Sequence, residues 1–158
     1  MRTKSVIVLA GLALAATLAV PSASALASDG QSQQRHRCAA EFHAAVVEDN
    51  EAFNSRDAQR YEAILNPRMI FWYDGVATYG RDAIMEQARQ DFATPGWVWT
   101  YTILSETVYG CDSGIALLEA HAIFAETGID RHYAVTMTLV RERGKWSIAI
   151  DNVHKLSG

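Results

Sequence analysis

The chain of 158 residues holds only two cysteines, three prolines and no excess of base. Lys and Arg number 14 against 18 Asp and Glu, giving a formal net charge of −4. Scattered bases on an acidic background offer no footprint for phosphate backbones, so nucleic acid is excluded as a partner. No apolar run reaches the ~20 residues that cross a bilayer. The five histidines, at 36, 43, 121, 132 and 154, show no H-x-x-x-H or H-E-x-x-H spacing, so no metal site is read from them. A glycine-rich phosphate loop and a G-x-S-x-G elbow are also missing, and no cofactor is expected.

The longest apolar stretch, Val6 to Val20, is instead read as part of a leader. Arg2 and Lys4 precede it and small residues in an A-x-A arrangement follow, from Pro21 to Ala27. This is the pattern of a cleaved secretory signal over residues 1–27, with cleavage after Ala25 or Ala27. It predicts a secreted or periplasmic protein with no membrane attachment after processing. No cysteine follows the small residues, which excludes a lipid anchor there. The mature chain is long enough for one domain with one core. In an oxidising compartment the even cysteine count predicts a disulfide between Cys38 and Cys111, two buried thiols being the alternative.

Residues 28–37 are polar and lack periodicity, so they read as a flexible lead-in to a domain spanning 38–158. From Cys38 the pattern is helical. Turning about 100° per residue puts Cys38, Val46, Asp49 and Phe53 on one narrow stripe with Phe42. Asp57 is placed to cap a second helix, Ala58 to Leu65, which Asn66-Pro67 ends. A strand over Arg68 to Asp74 leads through Gly75 and Gly80 to a third helix, Arg81 to Phe92, stopped at Thr94-Pro-Gly96. Asp82 suits the positive end of that helix. Four strands follow, Trp97–Val108, Gly114–Glu126, Arg131–Arg141 and Lys145–Lys155, separated by turn material. Helices followed by an antiparallel meander predict an α+β fold with the helices on one face of the sheet.

The ordered signatures Asn54-Ser-Arg-Asp57, Phe71-Trp-Tyr-Asp74-Gly75, Tyr79-Gly-Arg-Asp-Ala-Ile84 and Arg141-Glu-Arg-Gly-Lys-Trp-Ser-Ile148 together resemble the SnoaL-like branch of the nuclear transport factor 2-like superfamily. The resemblance covers roughly Cys38 to His154. It implies a cystatin-like cone: three helices packed on a strongly curved antiparallel sheet around one pocket. Domains similar to it commonly dimerise through the sheet, so a homodimer is implied. The same cone serves isomerases, dehydratases, cyclases and oligomerisation hubs, so the fold alone assigns no reaction.

Strand alternation suggests the lining. Tyr133, Val135, Met137 and Leu139 share one face, as do Trp97, Trp99 and Tyr101. On the first strand Trp72 and Asp74 alternate against Phe71 and Tyr73, and on the last Ile148, Ile150, Asn152 and His154 alternate against Asp151 and Val153. The expected pocket is therefore Asp49, Trp72, Asp74, Trp97, Trp99, Tyr133, Met137, Asn152 and His154. Asp49, a carboxylate on an apolar stripe, either projects into the cone or pairs with a structural arginine. Asp74 stands where the resembling ketosteroid isomerases carry a general base, although Asp-Gly is also a favourable turn pair. His154 is the third candidate catalytic group. The first helix has no tyrosine and Arg131 to Val140 no acid, so the two oxyanion donors of that isomerase, a worked case of pKa tuning, are absent. Three functions remain open: binding of a small, largely apolar organic molecule; a cofactor-independent isomerase or lyase using pocket Asp and His; and an oligomeric scaffold with a vestigial pocket. The leader carries the first prediction. Intact mass of the exported protein should place the mature start near Leu26 or Ser28, and a retained Met1-to-Val20 segment would overturn the export reading.

Overall fold

A computed structural model describes residues 23–157. The core of the expected leader, residues 1–22, lies outside the described residues. Among the described residues no helix is long and apolar enough to cross a membrane. Helix α1 spans Ala23–Asn54, α2 Ala58–Ile64 and α3 Arg81–Ala93. The strands are β1 Leu65–Tyr73, β2 Val76–Tyr79, β3 Trp97–Tyr109, β4 Ser113–Phe124, β5 Ile129–Glu142 and β6 Lys145–Ser157. They form one sheet in the order β2-β1-β6-β5-β4-β3.

Three features differ from the sequence reading. Residues 28–37, expected as a flexible lead-in, are helical, because α1 starts at Ala23. The Gln- and Arg-rich segment has adequate helix propensity and only needs a stable helix to extend. Its residues from Gly30 to Arg37 are exposed. The sheet is mixed, since β1 pairs with β6 in parallel while every other pair is antiparallel. The stretch between Gly75 and Gly80, read as a plain connection, contains β2. Tyr73 pairs with Val76, leaving Asp74-Gly75 as a two-residue hairpin turn. Both central residues have positive φ, 43° and 88°, the type I′ geometry that Asp-Gly favours.

The core lies between the helices and the inner face of the sheet. The α1 stripe holds as expected: Cys38, Phe42, Val46 and Asp49 are all buried. Phe42 and Val46 share one buried cluster with Leu118, Met137, Leu139 and Ile148. Phe42 meets Trp146 edge-on at 5.3 Å between centroids, and its ring lies so close to Gly114 that a Cβ there would overlap it. Asp57 caps α2, its Oδ1 accepting from the Arg60 amide at 3.1 Å.

Cys38 and Cys111 are joined in a disulfide, with Cα atoms 5.4 Å apart. The bond ties the middle of α1 to the β3–β4 turn across 73 residues of sequence. In the chain-entropy description a loop of that size stabilises by roughly 4 kcal/mol. Replacing both cysteines by serine should lower the unfolding free energy by about that amount in urea titrations. A variant as stable as the wild type would show that the packed stripe alone holds α1 down.

Candidate active site in the cone

The three helices and the inner face of the sheet enclose a cavity of about 610 Å³. Its wall is built from aromatic groups that sequence alternation sets on the inner face. Phe53 of α1 is the hub, with ring centroids 5.3–5.5 Å from Tyr61, Phe92, Trp97 and Trp99. Trp99 continues to Tyr133 at 5.7 Å and Tyr133 to Tyr73 at 6.3 Å. Hydrogen bonds fix these rings. The Trp99 indole donates to Asn50 Oδ1 at 2.9 Å, its amide donates to Asn54 Oδ1 at 3.0 Å, and the Trp97 indole donates to the Asp91 carbonyl at 3.0 Å. The Arg56 guanidinium lies 4.2 Å above the Trp97 ring. A rigid apolar wall carries little conformational cost when a ligand binds.

Three carboxyl groups line the cavity; Asp91 of α3 is exposed, whereas two are buried, Asp49 of α1 and Asp151 of β6. The Oδ1 atom of each buried acid has no hydrogen-bond partner in the protein. No salt bridge reaches either among the described residues, so the structural-arginine alternative for Asp49 finds no partner. Burial pushes Asp49 well above the usual carboxylate range, and the charge of Asp151, then of Glu48, adds to it. Burial raises Asp151 from 3.8 to about 7. The Tyr61 hydroxyl, buried in the same wall, is raised by burial and then by the charges of Asp49 and Asp151. Two buried acids held above the usual carboxylate range, one of them poised near neutrality, form an arrangement able to hold a proton and to release one.

Five of the expected pocket residues line the cavity: Asp49, Trp97, Trp99, Tyr133 and Met137. Four do not: Trp72, Asp74, Asn152 and His154. The causes are local. In β6, Thr138 pairs with Ile150 but Leu139 pairs with Ile148, so Ala149 is an extra residue on that strand. One inserted residue reverses every later side chain. Trp146 and Ile148 point inward as expected, but beyond the bulge Asp151 and Val153 are buried, and Asn152 and His154 are exposed. On β1, Phe71 and Tyr73 line the cavity and Trp72 is exposed. Asp74 belongs to the hairpin turn; its Oδ1 accepts from the Lys155 amide at 2.9 Å and lies 3.3 Å from His154 Nδ1. Two of the three candidate catalytic groups, Asp74 and His154, are thus beside each other outside the cavity. Asp151 and Asn50 line the cavity and were not among the residues expected there. Asp151 lay on the rejected face, and only a bulge at Ala149 could have revealed it.

The raised pKa of Asp151 has a consequence for stability. Its folded form holds a proton that the unfolded chain releases above about pH 4, so stability falls as pH rises from there to about 7, and the effect is flat beyond. Asp151→Asn removes it. The stability advantage of the variant over the wild type should therefore grow by roughly 3 kcal/mol between pH 5 and pH 8, at 1.36 kcal/mol per unit. A difference independent of pH, measured by paired denaturant melts, would show that Asp151 ionises normally.

Comparison with known proteins agrees with this architecture. A crystal structure of a ketosteroid isomerase-like protein from Erwinia carotovora atroseptica superposes with a TM-score of 0.67 at 22% identity, covering 76% of this chain and 97% of that one. A nuclear transport factor 2-like protein with a cystatin-like fold from Novosphingobium aromaticivorans gives 0.67 at 18%, covering 87% and 92%. A protein with a cystatin-like fold from Caulobacter vibrioides gives 0.64 at 17%, covering 74% and 88%. At these identities the likeness shows the fold. No curated protein sequence matches the chain. The sequence profile of the SnoaL-like domain matches residues 43–151, which takes in Asp49 and Asp151, and the chain belongs to that family.

Proposed function

We propose that the protein is an exported domain that binds a small, largely apolar organic molecule in its cone. The observation that carries this reading is a cavity of about 610 Å³ whose aromatic wall surrounds two buried carboxyl groups with unpartnered oxygens. That volume falls in the ordinary range of small-molecule sites, about 300–1,000 Å³. In a vestigial pocket Trp97, Trp99 and Met137 would fill the space; here they line it, which favours binding over a scaffold role. The disulfide fits an oxidising compartment outside the cytoplasm. The outer sheet face leaves Trp72, Leu117 and Ile150 exposed, and this supports pairing of two copies there.

The carboxyl pair favours a second reading, a cofactor-independent isomerase or lyase. A ligand with a carbonyl could accept a hydrogen bond from protonated Asp49 while ionised Asp151 removes an adjacent carbon-bound proton. Return of that proton at another carbon gives isomerisation; loss of a β-hydroxyl as water, protonated by Asp49, gives dehydration. Of the three expected acid–base candidates Asp49 keeps its place in this reading, and Asp151 takes the place of Asp74 and His154.

The test separates binding from turnover. A panel of cyclic ketones and hydroxylated aromatic compounds, scored by thermal shift, should contain ligands of the wild type. Asp49→Leu should melt at or above the wild-type temperature, because an unpartnered buried carboxyl is exchanged for an apolar group of similar size. Its affinity for the same compounds should fall by about 1–3 kcal/mol. A large drop in melting temperature with affinity unchanged would end the pocket role of Asp49. If the pair is catalytic, the wild type exchanges ligand carbon-bound hydrogen for deuterium in heavy water and Asp151→Asn does not. Absence of exchange with every bound ketone leaves the binding function alone.

A further inference from the structure

The outer face of the sheet carries a second cluster that the cone does not use. The β4–β5 hairpin reads Glu119-Ala-His121 on one strand and Asp130-Arg-His132 on the other. A period of two puts Glu119 and His121 on one face of β4, and Asp130 and His132 on one face of β5. The register then sets His121 directly opposite His132. Their rings are 4.0 Å apart between centroids. Glu119 stands opposite Ala134 and Asp130 opposite Ile123, so the two acids flank the histidine pair from opposite sides. All four lie on the face away from the cavity, whose lining includes their neighbours Ala122, Arg131 and Tyr133.

We propose that Glu119, His121 and His132 form a binding site for a divalent transition-metal ion of the zinc class. One donor atom from each of the three lies within 4.8 Å of the other two. Tetrahedral coordination at bond lengths of about 2.0–2.2 Å needs donors about 3.3–3.6 Å apart. The three side chains reach that spacing by a contraction of roughly 1 Å, available to partly exposed groups on a rigid ladder. Two imidazoles and one carboxylate suit zinc, nickel, cobalt or copper rather than calcium or magnesium, which prefer oxygen-only sites.

Asp130 is the positioning residue. Its carboxylate lies 3.1 Å from His121 Nδ1 and 3.3 Å from His132 Nε2. A carboxylate that engages one nitrogen of a ligating imidazole fixes the ring's tautomer and orientation and raises its basicity. Here a single carboxylate does this for both rings. Helical histidine spacing could not have signalled such a site, because its two histidines are eleven residues apart and meet only through the hairpin register.

The experiment is calorimetric titration of zinc chloride into the untagged, metal-free protein near pH 7.5, repeated with cobalt chloride followed by visible absorption. The expected result is saturable uptake of about one equivalent, with cobalt bands of a nitrogen and oxygen environment. His121→Ala/His132→Ala should abolish that uptake, and Glu119→Gln should weaken it. Asp130→Asn should lower affinity by about 10–100-fold while leaving the stoichiometry unchanged. His36→Ala/His43→Ala should bind as the wild type. Zinc should raise the melting temperature of the wild type but not of the His121/His132 double variant, whose metal-free melt should match the wild type. Absence of saturable uptake by the wild type overturns the proposal, as does a double variant that keeps wild-type affinity.

Discussion

Everything in this molecule depends on one helix laying a narrow stripe across the inner face of the sheet. Phe42, Val46 and Asp49 of α1 are almost wholly buried, and Phe53 at the end of the stripe gathers the aromatic wall. At the other end Cys38 is fastened to the β3–β4 turn, and Phe42 occupies the space that a side chain at residue 114 would need. α1 is held to the sheet at both ends, by the disulfide at Cys38 and by the hydrogen bonds of Trp99 to Asn50 and Asn54. The cavity lies toward the Asp49-to-Phe53 end of the stripe, where aromatic rings line the space rather than fill it.

Holding two buried carboxyl groups against this cavity is costly. Both are shielded from water and each has an unpartnered oxygen, so their charged forms are penalised and their protons retained longer than in water. The fold carries this cost on a scaffold stabilised elsewhere, by the disulfide, the capped second helix and the long antiparallel ladders of β3 to β6. Unpartnered polar groups in a core otherwise rich in aromatic contacts are the usual mark of a site that receives its partner from a ligand.

The exposed charges follow different physics. Asp74 and His154 are near neighbours with the Lys155 amide, and their part is to hold the β1–β2 turn against β6. His121, His132 and Asp130 make a similar surface group, but there the two rings face each other across a fixed register with Glu119 beside them. One arrangement uses its carboxylate to close a hairpin. The other leaves imidazole nitrogens gathered around a point.

The amino-acid pattern by itself determined most of the elements, β2 and the N-terminal part of α1 excepted. Periodicity near 100° marked the stripe from Cys38 to Phe53, proline and glycine marked the ends of α2 and α3, and alternation put Trp97, Trp99, Tyr133 and Met137 on the inner face. These signals are local, and local sterics and burial decide them. Tertiary structure decided the rest. The parallel pairing of β1 with β6, the extra residue at Ala149 and the hairpin turn at Asp74-Gly75 depend on which strands meet and in what register. A single residue of register exchanges the two faces of a strand. For that reason Asp151 rather than His154 faces Asp49, and two histidines separated along the chain stand side by side on the outer face.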